Sequence, residues 1–249
     1  MNVYLVDRLP KDRPYSWVLT VDPNKRHGGL LTAIDHQGNR FYMGEHYAEG
    51  IPDRLHAAAY LALLAAWKLT PGRDVALFSD PGGAGAQAII NLAECGVHCQ
   101  PVPKDAGSVK ASIESIRRAA WLDPNHKHPL TGQRPAPHCY FYTGLKSKWT
   151  KDGVEYYESR LMWELRQYRQ MQKASGVAAP PDTPVKENDD LVDPMRYVEL
   201  VRPFAPDYVD RSSDLEREKL DKLSKRAASE FDELVARHGK QSMQEEPAW

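Results

Sequence analysis

Residues 74–83 read DVALFSDPGG, and the fold is easiest to understand outward from this stretch. Positions 75–78 are apolar without interruption, which is typical of a central β-strand that is covered on both faces. The strand has to end at Asp80, because the proline and the two glycines that follow favour a turn. The sequence therefore predicts a buried strand that delivers an aspartate to the edge of a sheet.

The segments around this strand predict a mixed α/β fold. Three strand-like segments precede it, and their spacing and turn residues indicate an antiparallel meander. Helical segments follow the meander, the buried strand and one more short strand, which gives the order βββαβαβα and a mixed five-stranded sheet flanked by helices. We predict strands at 15–21, 28–34, 40–47, 74–79 and 97–102, and helices at 52–69, from 84 to about 94, and at 108–122.

The second half of the chain predicts further helices. One long helix is expected from about Glu155 to Lys173, and a connector rich in Ala and Pro follows it. Pro194 is tolerated only in the first turn of a helix, so the next helix should begin near Asp189 or Asp190. Residues 206–249 combine capping-box spacing with apolar steps of three and four residues, which predicts an amphipathic tail helix with a disordered end.

Composition and charge restrict the class of protein. The 249 residues include 41% apolar residues, yet no apolar run is long enough to cross a membrane and no signal peptide is evident. Three cysteines are too few for a disulfide framework, so we expect a cytoplasmic protein. The net charge is −1, but residues 104–151 contain nine Lys or Arg against three Asp or Glu. Phosphate contacts are therefore expected from the middle of the chain.

Four aspartates lie where regular elements begin or end. Asp22 follows the first strand, Asp80 follows the fourth, and Asp190 and Asp193 lie at a predicted helix start. Adjacent parallel strands bring their carboxyl ends to one edge of a sheet, so Asp22 and Asp80 are expected to be neighbours. A third carboxylate would make a cluster that requires a cation, and oxygen ligands favour Mg²⁺ or Mn²⁺. Two such ions suit hydrolysis of a phosphodiester.

Each aspartate also has an ordinary structural explanation, because Asp-Pro pairs are common in turns and acidic residues are common at helix starts. Their joint occurrence on the predicted strand order favours the functional interpretation. The same arrangement resembles the RNase H-like nuclease fold, and in detail the C-terminal nuclease domain of phage large terminase subunits. The resembling segments cover about residues 15–200 and are VDP at 21–23, FSDPGG at 78–83, KDAGSVKASIESIRR at 104–118, LMWELRQYR at 161–169 and KENDDLVDPMRY at 186–197.

The resemblance implies a metal site and a cofactor. Asp22, Asp80 and one or both of Asp190 and Asp193 would bind two Mg²⁺ or Mn²⁺ ions and form the catalytic cluster. The family has alanine where this chain has Pro194, and the choice between Asp190 and Asp193 stays open. Phosphate contact is expected from the basic side chains Lys104, Lys110, Arg117, Arg118, Lys146 and Lys148, the last two lying beside Trp149 in a possible DNA-facing hairpin.

The implied function is metal-dependent cleavage of double-stranded DNA during viral genome packaging, in the cytoplasm of a host cell. No Walker A sequence is present, so the implied partners include a packaging ATPase domain or subunit, and a portal or small terminase protein. A Holliday-junction resolvase-like nuclease and a non-catalytic assembly module remain alternatives. We divide the chain into a lead-in at 1–14, a nuclease domain at 15–205 and the helical tail at 206–249, with no membrane contact.

Overall fold

The computed structural model describes residues 3–11, 13–24, 26–174 and 188–201, and the side chains of the fourth helix up to residue 167. Within these ranges the chain forms nine strands and five helices. In chain order they are β1 (Leu5–Val6), β2 (Tyr15–Pro23), β3 (Arg26–Asp35), β4 (Arg40–Glu49), α1 (Asp53–Ala66), β5 (Val75–Ser79), α2 (Gly85–Glu94), β6 (Gln100–Pro101), α3 (Ser108–Ala120), β7 (Cys139–Tyr142), β8 (Ser147–Lys151), β9 (Val154–Glu158), α4 (Arg160–Ala174) and α5 (Val192–Val201).

Seven strands form one mixed sheet in the order β1-β7-β4-β3-β2-β5-β6. β2, β3 and β4 form the predicted antiparallel meander, and β5 pairs with β2 in parallel. Asp35 organises the turn between β3 and β4, where its Oδ1 accepts the backbone N–H groups of Gln37 and Asn39 at 2.9 and 3.0 Å. The meander and the buried parallel strand predicted from the sequence are confirmed.

Helices cover both faces of the sheet, as the two consecutive glycines in β3 illustrate. A Cβ on Gly29 would lie 2.3 Å from Cε1 of Tyr60 in α1, and one on Gly28 would lie 1.8 Å from the carbonyl oxygen of Asp190. Successive residues of a strand face opposite sides, so α1 and the start of α5 approach opposite faces of β3. Apolar side chains from α2 join the α1 layer, and those from α3 and α4 join the α5 layer.

The sheet has seven strands and not the predicted five. The two additional strands, β1 and β7, pair with each other in parallel and extend the sheet beside β4. β1 lies within the segment that was predicted to be a lead-in, where its Val6 is 1% exposed and packs in the core. Two residues are too short a run for alternation to be recognised in the sequence.

The predicted helix at 155–173 is wrong in its first turn. Residues 154–158 form β9, which pairs with β8 in a separate two-stranded sheet, and α4 begins only at Arg160. The turn between them uses positive φ at both Asp152 and Gly153, which matches the twist of a tight hairpin. Ser159 then starts the helix by accepting the N–H of Met162 through its hydroxyl at 3.1 Å.

The predicted tail at 206–249 and the connector at 175–187 lie outside the described residues. In the parts of the chain that are described, no helix is both long and apolar enough to span a membrane.

Three histidines are packed together between the sheet and α1. The rings of His27 and His56 are stacked with centroids 3.7 Å apart, and Nε2 of His46 lies 2.9 Å from Nδ1 of His56. Burial, followed by the charge of His56, lowers the pKa of His27 to about 4. Burial also lowers the pKa of His46 to about 4. These groups are therefore neutral in the folded protein near neutral pH.

We predict that the protein loses stability as the pH falls from about 6.5 to about 4. The unfolded chain takes up protons at its histidines near pH 6.5, whereas buried His27 resists protonation until about pH 4, so folding weakens by roughly 1.4 kcal/mol per pH unit for such a group. Urea unfolding across this range should give a smaller slope for His27→Gln than for wild type. His98→Gln, at an exposed position, is the control. Equal slopes in all three proteins would contradict the prediction.

Candidate active site

Asp22 and Asp80 are brought together by the parallel pairing of β2 with β5. The register places Val21 beside Ser79, and the next residue of each strand is an aspartate. The backbone N–H of Asp80 donates to the carbonyl of Val21 at 3.0 Å, so the pairing continues to the edge. Neighbouring strands lie about 4.8 Å apart, which puts the two carboxylates side by side.

Asp193 joins this pair from the opposite element, α5. It is the second residue of that helix, and the hydroxyl of Thr20 in β2 donates to the carbonyl of the following Pro194 at 2.8 Å, fixing the helix start on β2. Burial, followed by the negative charges of Asp193 and Asp80, raises the pKa of Asp22 to about 7. Three carboxylates therefore lie within one another's electrostatic field at this edge of the sheet.

Protein donors occupy each of the three carboxylates. The side-chain amide of Asn24 donates to Asp22 at 2.8 Å, and Arg196 forms an ion pair with Asp193. Burial raises the pKa of Asp193, and the Arg196 guanidinium offsets part of that increase. Asp80 accepts the backbone N–H of Gly82 at 2.8 Å through Oδ1, and Oδ2 has two further donors.

The donors to Oδ2 of Asp80 are Lys104 and Tyr197. The Lys104 ammonium lies 2.5 Å from this oxygen, and the Tyr197 hydroxyl lies 2.9 Å from it. Lys104 also donates to the Tyr197 hydroxyl at 3.1 Å, with its ammonium 4.4 Å from the centroid of that ring. Burial raises the pKa of Asp80, but the hydrogen bonds from Lys104, Gly82 and Tyr197 outweigh burial, and the net pKa is lowered.

Asp190 lies apart from these contacts although it is three residues from Asp193. It pairs with Arg26 at 3.3 Å and with Arg160 at 3.5 Å, and it is 6% exposed. Because α5 begins at Val192, Asp190 precedes the helix and the three-residue helical spacing does not apply to it. Burial raises the pKa of Asp190, and the two arginines partly offset that effect. Asp190 thus belongs to a buried ion-pair network.

Arg160 is the centre of that network. Its side chain is 2% exposed and donates through Nε to Glu164 at 2.7 Å. Aromatic rings surround the guanidinium, with centroids 4.4 to 4.5 Å from its central carbon; they belong to Tyr47, Trp149 and Trp163. An arginine enclosed by rings and carboxylates keeps a fixed position because its planar group stacks and bonds at once.

Glu164 transmits this position to the start of α5. Its Oε2 accepts the backbone N–H groups of Leu191 and Val192 at 2.7 and 3.1 Å, which satisfies two donors at the helix N-terminus. Sequence reasoning missed Glu164 and Arg160, because partners 27 to 30 residues away on another element leave no local pattern. Tyr197 was also missed, although it lies four residues after Asp193 and therefore on the same side of the helix.

The predicted DNA-contacting residues lie in three places. Lys104 lies in the aspartate cluster, whereas Lys110, Arg117 and Arg118 are exposed on α3. Lys146 and Lys148 are at the β8–β9 hairpin; Lys148 pairs with Glu155 at 2.8 Å, and Lys146 lies 5.8 Å from the Tyr157 ring centroid.

Trp149, suggested as a DNA-facing aromatic, is 3% exposed and stacks on Tyr156 with ring centroids 4.2 Å apart. The prediction is wrong for Trp149, because in a strand alternate side chains face inward and Arg160 lies beneath this one. The exposed aromatic of the hairpin is Tyr157, at 74%.

The residues suit a hard divalent cation by their chemistry. Asp22, Asp80 and Asp193 offer only oxygen donors, which Mg²⁺ and Mn²⁺ prefer. Among the residues that the structure describes, no set of three or more His, Cys, Asp or Glu side chains is already arranged to hold an ion. Lys104 and Arg196 neutralise carboxylates that an ion would need, so ion binding requires at least one of these cations to move.

Comparison with known proteins gives matches at the level of structure alone. No family model and no curated protein matches the sequence. The nuclease domain of the P22 large terminase gives a TM-score of 0.53 at 15% identity, covering 82% of this chain and 89% of that domain. The chain has a terminase nuclease-like fold. The RNase H-like class predicted from the sequence is thereby confirmed.

A second match to this terminase nuclease-like fold is a large terminase from a thermophilic bacteriophage. Its TM-score is 0.47 at 14% identity, and the match covers 79% of this chain and 42% of that protein.

We predict that Asp22→Asn stabilises the ion-free protein, and increasingly so at higher pH. A folded pKa of about 7 against an unfolded value of 3.8 means that ionised Asp22 weakens folding as the pH rises from about 4 to 7, by up to about 1.4 kcal/mol per unit. Urea unfolding in a chelator should show the gain of Asp22→Asn growing over this range and then levelling off.

Asp7→Asn is the control for this prediction, because Asp7 is an exposed carboxylate paired with Arg8 on the surface. Its effect on the free energy of unfolding should be small at every pH. A destabilising effect of Asp22→Asn at high pH would mean that repulsion among the three carboxylates does not control the stability of this edge.

Proposed function

We propose that the protein is a metal-dependent endonuclease that cleaves double-stranded DNA in viral genome packaging. The observation that supports this most strongly is the convergence of Asp22, Asp80 and Asp193 at one edge of a terminase nuclease-like sheet. In such a site a bound pair of Mg²⁺ or Mn²⁺ ions activates water and stabilises charge on the phosphate and the leaving oxygen. Asp22, Asp80 and Asp193 would hold these ions.

The remaining residues of the site have distinct proposed roles. Tyr197 orients Asp80 through its hydroxyl, and Asn24 orients Asp22. Asp190 is excluded from our proposed ligand set, because its two arginines already neutralise it in a buried network. Its role is to hold the chain that leads into α5, so that Asp193 is presented to the two strand-end aspartates.

Basic side chains on either side of the site are proposed to position the DNA backbone. Lys110, Arg117 and Arg118 on α3, with Lys146 and Lys148 at the hairpin, are exposed and carry no information about base sequence if they contact phosphate. We expect binding to weaken with added salt and cleavage to be tolerant of sequence. A packaging ATPase domain or subunit is the expected partner, and portal and small terminase proteins are further candidates.

A non-catalytic assembly module is the second candidate, and one observation favours it. All three carboxylates are engaged by protein donors, and Asp80 and Asp193 pair with cations of the chain itself. A protein that had retained the fold without the chemistry would be stable with these internal pairs alone. A resolvase-like nuclease is distinguished by its substrate, since it would prefer branched over linear DNA.

We predict that plasmid nicking requires Mg²⁺ or Mn²⁺ and is lost in Asp80→Asn and Asp193→Asn by roughly a hundredfold or more. Removing one ligand costs several kcal/mol of transition-state stabilisation, and each 1.36 kcal/mol changes the rate tenfold. Asp190→Asn is the matched control, because it removes a neighbouring buried carboxylate that we assign to structure.

Melting curves must accompany these assays, because Asp190→Asn breaks a buried ion pair and should lower stability. Folded Asp190→Asn that still nicks DNA supports the assignment. Nicking that survives a chelator, or survives in Asp80→Asn, would contradict metal-dependent catalysis. No nicking by the wild-type protein on linear, supercoiled or branched DNA would favour the assembly module.

A further inference from the structure

Lys104 occupies an unusual position for a residue expected to contact DNA. Its ammonium lies 2.5 Å from Asp80 and is close enough to Asp22 and Asp193 for its charge to lower the pKa of each. The residue lies in the segment between β6 and α3, and its side chain is 34% exposed. One flexible cation therefore neutralises a site that otherwise contains clustered carboxylates.

We propose that Lys104 is a built-in counter-cation, which holds the aspartate cluster closed until a divalent ion displaces its ammonium from Asp80. The proposal rests on the proposed function and specifies how the same site is regulated. Clustered carboxylates are tolerated only when positive charge is near them. Lys104 supplies that charge in the ion-free protein, and a divalent ion supplies more of it in the loaded protein.

Of the two cations in the site, Lys104 is the one that can leave. Arg196 is on the same helix as Asp193, three residues away, is 6% exposed and also donates to Ser112 at 3.3 Å. Lys104 reaches the cluster from a loop, on a side chain with four rotatable carbons and a third of its surface in solvent. Release of Lys104 therefore costs less rearrangement than release of Arg196.

Tyr197 gives the released ammonium a second contact. The ring lies 4.4 Å from the Lys104 nitrogen, so the lysine can keep this cation–π contact after it leaves Asp80. An ammonium freed at the rim of the site is placed to meet a phosphate oxygen, which the paired form is not. Ion loading and DNA binding are then coupled, and the ion-free protein binds DNA more weakly than the loaded protein.

The test is the affinity for Mn²⁺ measured by isothermal titration calorimetry, with no DNA present. Lys104→Met removes the competing charge and should lower the Kd for Mn²⁺ roughly two- to fivefold, as expected for a partly exposed ion pair. Lys104→Arg keeps the charge and should bind Mn²⁺ no more tightly than wild type. Lys11→Met is the control for charge removal, because Lys11 is exposed and precedes the start of β2, at the opposite end of that strand from Asp22.

High salt separates displacement from a general effect of charge. In roughly 1 M salt, where the Debye length is about 3 Å, a long-range field is screened and direct competition at Asp80 persists. The proposal predicts that the gain of Lys104→Met persists there. A gain that disappears in high salt, or Lys104→Met that binds Mn²⁺ no better than wild type, would overturn the proposal and leave the proposed function intact. No Mn²⁺ binding by wild type or any variant would overturn both.

Discussion

The parallel pairing of β2 with β5 is the constraint on which the candidate site depends. Two strands that are 58 residues apart in sequence run in the same direction, and the hydrogen bond from Asp80 to Val21 continues their pairing to the sheet edge. Asp22 and Asp80 have no other reason to be neighbours. A shift of one residue in this register would turn one of the two aspartates to the opposite face.

Bringing these carboxylates together has an electrostatic cost that the rest of the site offsets. Lys104 and Arg196 supply positive charge, Asn24 and Tyr197 supply hydrogen bonds, and Asp22 has the raised pKa expected where repulsion and burial are not fully compensated. The ion-free form is therefore largely neutralised by its own side chains. In our proposal, loading with a divalent ion exchanges one cation for another and does not fill an empty cage.

The sequence predicted the elements whose signals are local. The meander, the buried strand at 74–79 and the adjacency of Asp22 and Asp80 follow from apolar runs, turn residues and the geometry of parallel strands. The roles of Asp190 and Asp193 could not be separated, because the difference comes from Arg160 on a distant helix. Lys104 was predicted at phosphate for its charge alone, since no local pattern encodes its reach to Asp80. Strand β9 was taken as helix because its tyrosines also fitted the spacing of the helix that follows it.

The central claim is that Asp22, Asp80 and Asp193 form the ion site and that Asp190 does not. Anomalous diffraction from a crystal of the wild-type protein soaked in Mn²⁺ locates the ions directly. We expect anomalous density in contact with Asp22, Asp80 and Asp193, with Lys104 withdrawn from Asp80 and the Asp190–Arg160 pair intact. Density centred on Asp190, or an ion at the cluster with Lys104 still paired to Asp80, would contradict this claim.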